Sequence, residues 1–332
     1  MNLFEPSAAR AEELRRLMDG SLWSSVEATL DGPAFRSASG RSAPSVAGSH
    51  PLDYGAYFDL VLTPPDGAPD GSELEDARAH LSGRLAGKGP GAPASPAVSN
   101  LSDYCEQQAD RLRRWWDIEA ENAMGLSGVS PDYLAAAQSH IEKALGFLSA
   151  AAPEMHGEVI AIVREIVIAQ PDGSQRMDFG GASSFALWGG FTINAATHSC
   201  WPDFYKTIVH ETAHNLLFAI ARDQPLVEDD VDDRHASPLR EDARPMDGIF
   251  HAAFVSAREA CALDALLVHD DSETLLTPYE RPQVEDMLEE SVLAFHDCAT
   301  TLHAQARMSD LGVRVLQECS AWIDANFAVA TE

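Results

Sequence analysis

Three features of this chain predict an α+β fold, mostly α-helical, with a small antiparallel sheet and a helical C-terminal region. One is an apolar-striped helix that starts at Trp201-Pro202-Asp203 and runs to about Ile220. Another is a single β region ahead of it, Glu158 to Ile168 and then Phe185 to Asn194. The last is the stretch after residue 248, where 248–269, 278–305 and 309–327 all carry helical periodicity.

The elements follow in order. Residues 8–30 pattern as an amphipathic helix. Ser, Gly, Ala and Pro then dominate 31–51 and again 82–99, where Gly87-Lys88-Gly89-Pro90-Gly91 makes a linker. Residues 1–100 therefore read as a loop-rich N-terminal region and 101–332 as the helical part with the functional site. Helices are expected over 101–122 and 131–151, with Trp115 and Trp116 as core anchors. Phe185 to Asn194 is expected to offer an edge to an extended peptide, Gly189 and Gly190 permitting close approach; an interior strand with a glycine bulge is the alternative.

Composition excludes several classes. The 332 residues, 45% of them hydrophobic, can bury a sizeable core. A net charge of −29, from 52 acids against 23 bases, repels a phosphate backbone, so nucleic acid is not an expected partner; a basic peptide is favoured by the same field. There is no signal-peptide pattern and no run of eighteen apolar residues, so neither secretion nor a membrane is expected. The odd number of cysteines, five, without any CxxC, fits reduced thiols in a cytoplasm.

The chemistry sits in Ile208-Val209-His210-Glu211-Thr212-Ala213-His214. At i and i+4 on a helix, two imidazoles lie about 6 Å apart on one face and can share a metal ion. Zinc suits such a pair, and so does iron(II). The pattern HExxHxxGxxH fails, because Leu217 and Ile220 hold the positions of its Gly and third His. The third ligand is then Glu259, in Ala257-Arg258-Glu259, or His251, thirty-seven residues after His214 near the start of an apolar helix. His251 is the leading choice, and His198, His235, His296 and His303 are unassigned. The acidic run 228–233 joins the two helices as a solvated loop.

Over Trp201 to Glu259, the segments HETAHNLLFA and SPLREDARPMDGIFHAAFVSARE resemble the HExxH-motif peptide-modification proteins encoded beside ribosomally synthesised, post-translationally modified peptides. The likeness continues weakly at Leu302 to Gly312 and is faint before about residue 150. It implies an iron(II)- and 2-oxoglutarate-dependent dioxygenase of the cytoplasm that hydroxylates Cβ of a residue in a precursor peptide, with His210, His214 and His251 on the metal and zinc as a possible substitute. The fold expected is a zincin-like metal helix next to the small sheet. The oxo acid's far carboxylate requires a fixed cation. Arg258, seven residues after His251 and roughly 10 Å along the same face, is the first choice. Arg244 is the second and Arg240 the third. Two other classes stay open: a zinc metallopeptidase with Glu211 as general base, and a non-catalytic peptide-binding protein with a structural metal.

Overall fold

A computed structural model describes residues 2–30, 48–62, 69–88, 94–117, 124–174, 179–239, 243–273 and 275–327. It is mostly helical with a small mixed sheet. The chain forms two compact units, each assembled from separate stretches. One, the helical unit, comprises Met1–Ala11, Ile141–Val159 and Cys200–Glu332; the other, the sheet unit, comprises Glu12–His140 and Ile160–Ser199. A boundary near residue 100 thus falls inside the sheet unit.

The helices are α1 (Ala8–Leu30), α2 (Pro51–Val61), α3 (Gly71–Leu85), α4 (Glu106–Trp116), α5 (Pro131–Ala151), α6 (Pro153–Ile162), α7 (Trp201–Ile220), α8 (Met246–Glu273), α9 (Glu280–Gln305) and α10 (Asp310–Asn326). The strands are β1 (Ala97–Asn100), β2 (Leu126–Ser127), β3 (Glu165–Pro171), β4 (Gly181–Ser183) and β5 (Gly190–Asn194). Most of the expected 31–51 loop, the 89–93 part of the linker, and Arg240 lie outside the described residues.

In the sheet unit the order is β1-β3-β5-β4, with β2 on β3. The expected antiparallel sheet is therefore corrected to a mixed one: β1 and β5 both run parallel to β3, while β2 is antiparallel to β3 and β4 to β5. Ile166 to Ala169 of β3 are fully buried, which is how a parallel strand covered on both faces reads. Trp115 and Trp116 anchor this core, packed with Leu112, Val167 and Leu187.

Two β expectations are revised. Glu158 to Ile162 is the end of helix α6, because Pro153 supplies a helix start and a nearly continuous apolar run has no period to separate helix from strand. Phe185 to Leu187 is a single 3-10 turn, and β5 is an interior strand with neighbours on both sides, so it has no free edge for strand addition. Gly189 has φ of +86°, and its missing Cβ leaves room for the chain's own Arg15 and the Ile162 carbonyl. Pro51 fills the same role beside Gly190.

The helical unit is built around α7. Pro202 in its first turn and Asp203 accepting the Cys200 N–H at 3.2 Å start the helix where the sequence places it. Trp201 stacks on Phe147 with ring centroids 4.3 Å apart and donates to Glu280 at 2.5 Å. Gly312 lets α10 begin against the loop after α7, since a Cβ there would stand 2.0 Å from the Leu226 carbonyl oxygen. None of the described helices is long and apolar enough to cross a membrane.

Candidate metal centre

Helices α7 and α8 meet in a ladder of side-chain contacts. The Tyr205 hydroxyl donates to the Ala262 carbonyl at 2.8 Å. One turn on, His210 Nδ1 lies 2.7 Å from Glu259 Oε1, and His214 Nδ1 lies 2.9 Å from His251 Nδ1. Rising positions on α7 meet falling positions on α8, so the two helices run antiparallel. The i, i+4 spacing of the histidines then selects two rungs of that ladder.

The remaining nitrogens face each other. His210 Nε2 and His214 Nε2 are 3.1 Å apart, the separation two nitrogens take when bound near ~2.1 Å to one ion. Glu259 is an acceptor, so His210 carries its proton on Nδ1 and leaves the Nε2 lone pair inward. His251 Nε2 is 3.9 Å from Asp247 Oδ2, which favours a proton there and leaves its Nδ1 to accept from His214. Both α7 histidines are thereby held by their outer nitrogens, an arrangement that suits a cation between the inner ones.

Burial is graded across the cluster. His251 and Glu259 are buried, and the His210 side chain keeps 35% of its surface exposed, giving the pair a way to solvent. Phe218, one turn after His214, packs on the His251 ring with centroids 4.9 Å apart. Burial works to lower the His210 pKa, but the hydrogen bond and charge of Glu259 outweigh it and the net shift is upward. Burial, aided by His210, His251 and Arg244, holds His214 well below the usual imidazole range. Burial also lowers His251, against the pull of Asp247. The downward shifts of His214 and His251 favour the neutral imidazole, the form that binds a metal.

His210, His214 and His251 are brought together, but not to one point. His251 meets the far nitrogen of His214, and among the described residues no three His, Cys, Asp or Glu side chains form a ready-made metal-holding group. The residues fit an ion held by His210 and His214; His251 joins it only by turning its ring. Glu259, the alternative third ligand, faces the outer nitrogen of His210.

Arg258 is placed elsewhere. It is 2% exposed, donates to the Phe4 carbonyl at 2.5 Å and pairs with the fully buried Glu158. Spacing put it on the His251 face, yet a 28-residue helix buried on several sides has more than one polar neighbour to offer. Arg244 lies in the strand-like bridge with His235 just before α8, and its charge reaches His214. Glu211 is 3% exposed, and its charge reaches His210.

Sequence reasoning missed Lys206 and Ser291. Lys206 Nζ sits 3.9 Å from Glu259 Oε2, and Ser291 Oγ of α9 donates to the same oxygen at 2.8 Å. Lys206 was legible in principle, being four residues before His210; Ser291 was not, since nothing local marks which turn of α9 reaches the site. No family model matches the chain, and no curated protein matches it either.

Proposed function

We propose that the chain is an iron(II)- and 2-oxoglutarate-dependent dioxygenase that hydroxylates Cβ of a residue in a ribosomally made precursor peptide. The observation that carries this reading is the imidazole cluster itself, in which His210 and His214 present inner nitrogens 3.1 Å apart while Glu259 of α8 is turned to the outer nitrogen of His210. A set of three imidazole ligands brings no negative charge and would leave the ion's positive charge to be met by an anionic co-substrate, as 2-oxoglutarate is.

In this reading His210 and His214 hold the ion, and His251 completes the set by turning from His214. The chemistry such an ion supplies is activation of dioxygen coupled to decarboxylation of the oxo acid. The balanced reaction is peptide C–H plus O2 plus 2-oxoglutarate giving peptide C–OH, succinate and carbon dioxide. Arg244, whose charge reaches His214, is the cation proposed for the far carboxylate of the oxo acid; Arg258 pairs instead with Glu158. The net charge of −29 favours a cationic peptide.

The test is anaerobic. Metal-free protein titrated with iron(II) and then 2-oxoglutarate is expected to develop the weak visible charge-transfer band of the chelated oxo acid, and His251→Ala is expected to lose it. Absence of the band in the parent protein, with tight zinc retention, overturns the reading.

A second reading rests on Glu211, buried with its charge reaching His210. In a zinc peptidase it is the general base for metal-bound water. Peptide cleavage by the zinc-loaded protein that disappears in Glu211→Gln would establish this alternative; iron-dependent hydroxylation that survives the same substitution would remove it.

A further inference from the structure

Glu259 is buried in the wall of the candidate centre, but it does not point at the space between the paired nitrogens. We propose that it is a positioning residue for His210, itself fixed by Ser291 of α9 and flanked by Lys206. The inference rests on the reading of His210 and His214 as metal ligands and deepens it.

Three observations support the role. First, Glu259 Oε1 is 2.7 Å from His210 Nδ1, so the carboxylate determines which ring nitrogen carries the proton and turns the Nε2 lone pair towards His214. Second, its other oxygen is occupied: Ser291 Oγ, 1% exposed, reaches it at 2.8 Å, and Lys206 Nζ stands 3.9 Å away, also 3.6 Å from Glu290. A carboxylate held at both oxygens has little freedom to swing round and become a ligand. Third, Lys206 precedes His210 by one turn on α7, so α7 contributes both the imidazole that the carboxylate orients and the cation that flanks it.

The arrangement has a physical consequence for affinity. An imidazole whose outer N–H donates to a carboxylate is a more basic and better aligned ligand than one whose outer nitrogen meets water. It also ties α9, which supplies none of the imidazoles, to the metal centre through one hydroxyl. Ser291 has a single proton and two acceptors in reach, Glu259 at 2.8 Å and the Met287 carbonyl at 2.9 Å, so its share of the effect is smaller than that of the carboxylate.

The experiment uses cobalt(II) as the probe, with full-length protein and a chromophoric competitor to read the dissociation constant. Glu259→Gln keeps the shape and an acceptor oxygen but removes the charge, and is expected to weaken cobalt(II) about 10–100-fold and to change the visible d–d spectrum. Ser291→Ala is expected to weaken it measurably, by several-fold but less than about 10-fold. In metal-free protein, 15N-detected histidine tautomers are expected to show His210 protonated on Nδ1 in the parent and redistributed in Glu259→Gln. Parent affinity and an unchanged spectrum in Glu259→Gln overturn the inference while the ligand reading stands. Cobalt(II) uptake that is the same in the parent and in His210→Ala removes the ligand reading, and the inference with it. Should Glu259→Gln not fold, a Ser291→Ala protein that folds and binds with unchanged affinity and spectrum overturns it equally.

Discussion

The helical unit buries two polar clusters, and they are built on opposite plans. Around Glu158, which is fully buried, Arg10 and Arg258 converge from opposite ends of the sequence, Arg10 at 3.0 Å, while Ser7 N–H adds a bond at 2.9 Å. The guanidiniums spend further donors on the Asn2, Glu5 and Phe4 carbonyls. The buried anion is paired with both cations, although the Nε of each guanidinium is left without a hydrogen-bond partner. Around His210 and His214, every outer nitrogen has a partner, yet the chain of contacts ends in two nitrogens facing each other at 3.1 Å. Two lone pairs at that distance repel unless a proton or a cation lies between them. The difference is one of charge balance: in the first cluster the chain's own buried anion meets its cations, while the second brings two imidazole nitrogens together in an arrangement that an added proton or cation would complete.

The comparison breaks most visibly in stability. Glu158→Ala leaves two buried guanidiniums without their anion and is expected to cost about 3–5 kcal/mol, whereas His214→Ala in metal-free protein is expected to cost less than about 1 kcal/mol because it relieves the facing nitrogens. Urea unfolding of both variants checks this. Equal losses would mean that the histidine cluster is as structural as the arginine one.

A smaller effect sharpens the contrast between two arginines, of which the sequence puts Arg258 ahead of Arg244. Under the proposed function, Arg244→Ala is expected to weaken 2-oxoglutarate binding to iron(II)-loaded protein about 10–100-fold, since it would remove a charged hydrogen-bond partner of the ligand. Arg258→Met is expected to do the reverse, lowering the midpoint and leaving the co-substrate affinity of the folded protein unchanged. Isothermal titration beside urea unfolding separates the two, and a co-substrate defect confined to Arg258→Met would reverse the assignment.

That contrast also marks what was legible. Helix α7 could be placed from Trp201 onward because Pro202, Asp203 and the apolar stripe are local signals, and His251 could be tied to the motif histidines because α8 starts just before it. The partner of Arg258 could not be foreseen: Glu158 is 100 residues away, inside a run that reads as a strand until Pro153 is given its due. The sheet failed for a related reason. Parallel pairing of β3 with β1 and β5 depends on where long connections return, and β5 gains its second neighbour from a three-residue strand with no hydrophobic pattern. Helices α2 and α3 lay hidden because Gly55 and the polar face of 71–85 weaken the periodic signal.

Glu280 provides an intermediate case and the smallest effect. Its carboxylate sits at the edge of the unit rather than in it, receiving Trp201 Nε1 at 2.5 Å, Lys143 Nζ at 3.1 Å and the Thr277 N–H at 2.9 Å. Burial works to raise its pKa, but these hydrogen bonds prevail and hold it at about 2, below the ordinary 4.5. A folded pKa below the unfolded one stabilises the protein above pH 4.5, and that contribution is lost as pH falls towards 2. Solvent screening keeps it to about 1 kcal/mol. Glu280→Gln is therefore expected to lie below the parent in urea midpoint at pH 7, with the gap closing between about pH 4.5 and 2. The carboxylate also ties Trp201, the first residue of α7, to α9, so the loss should begin at the start of the helix that carries the histidines. A gap that stays constant through that window would show that the Trp201 contact works by shape rather than by charge.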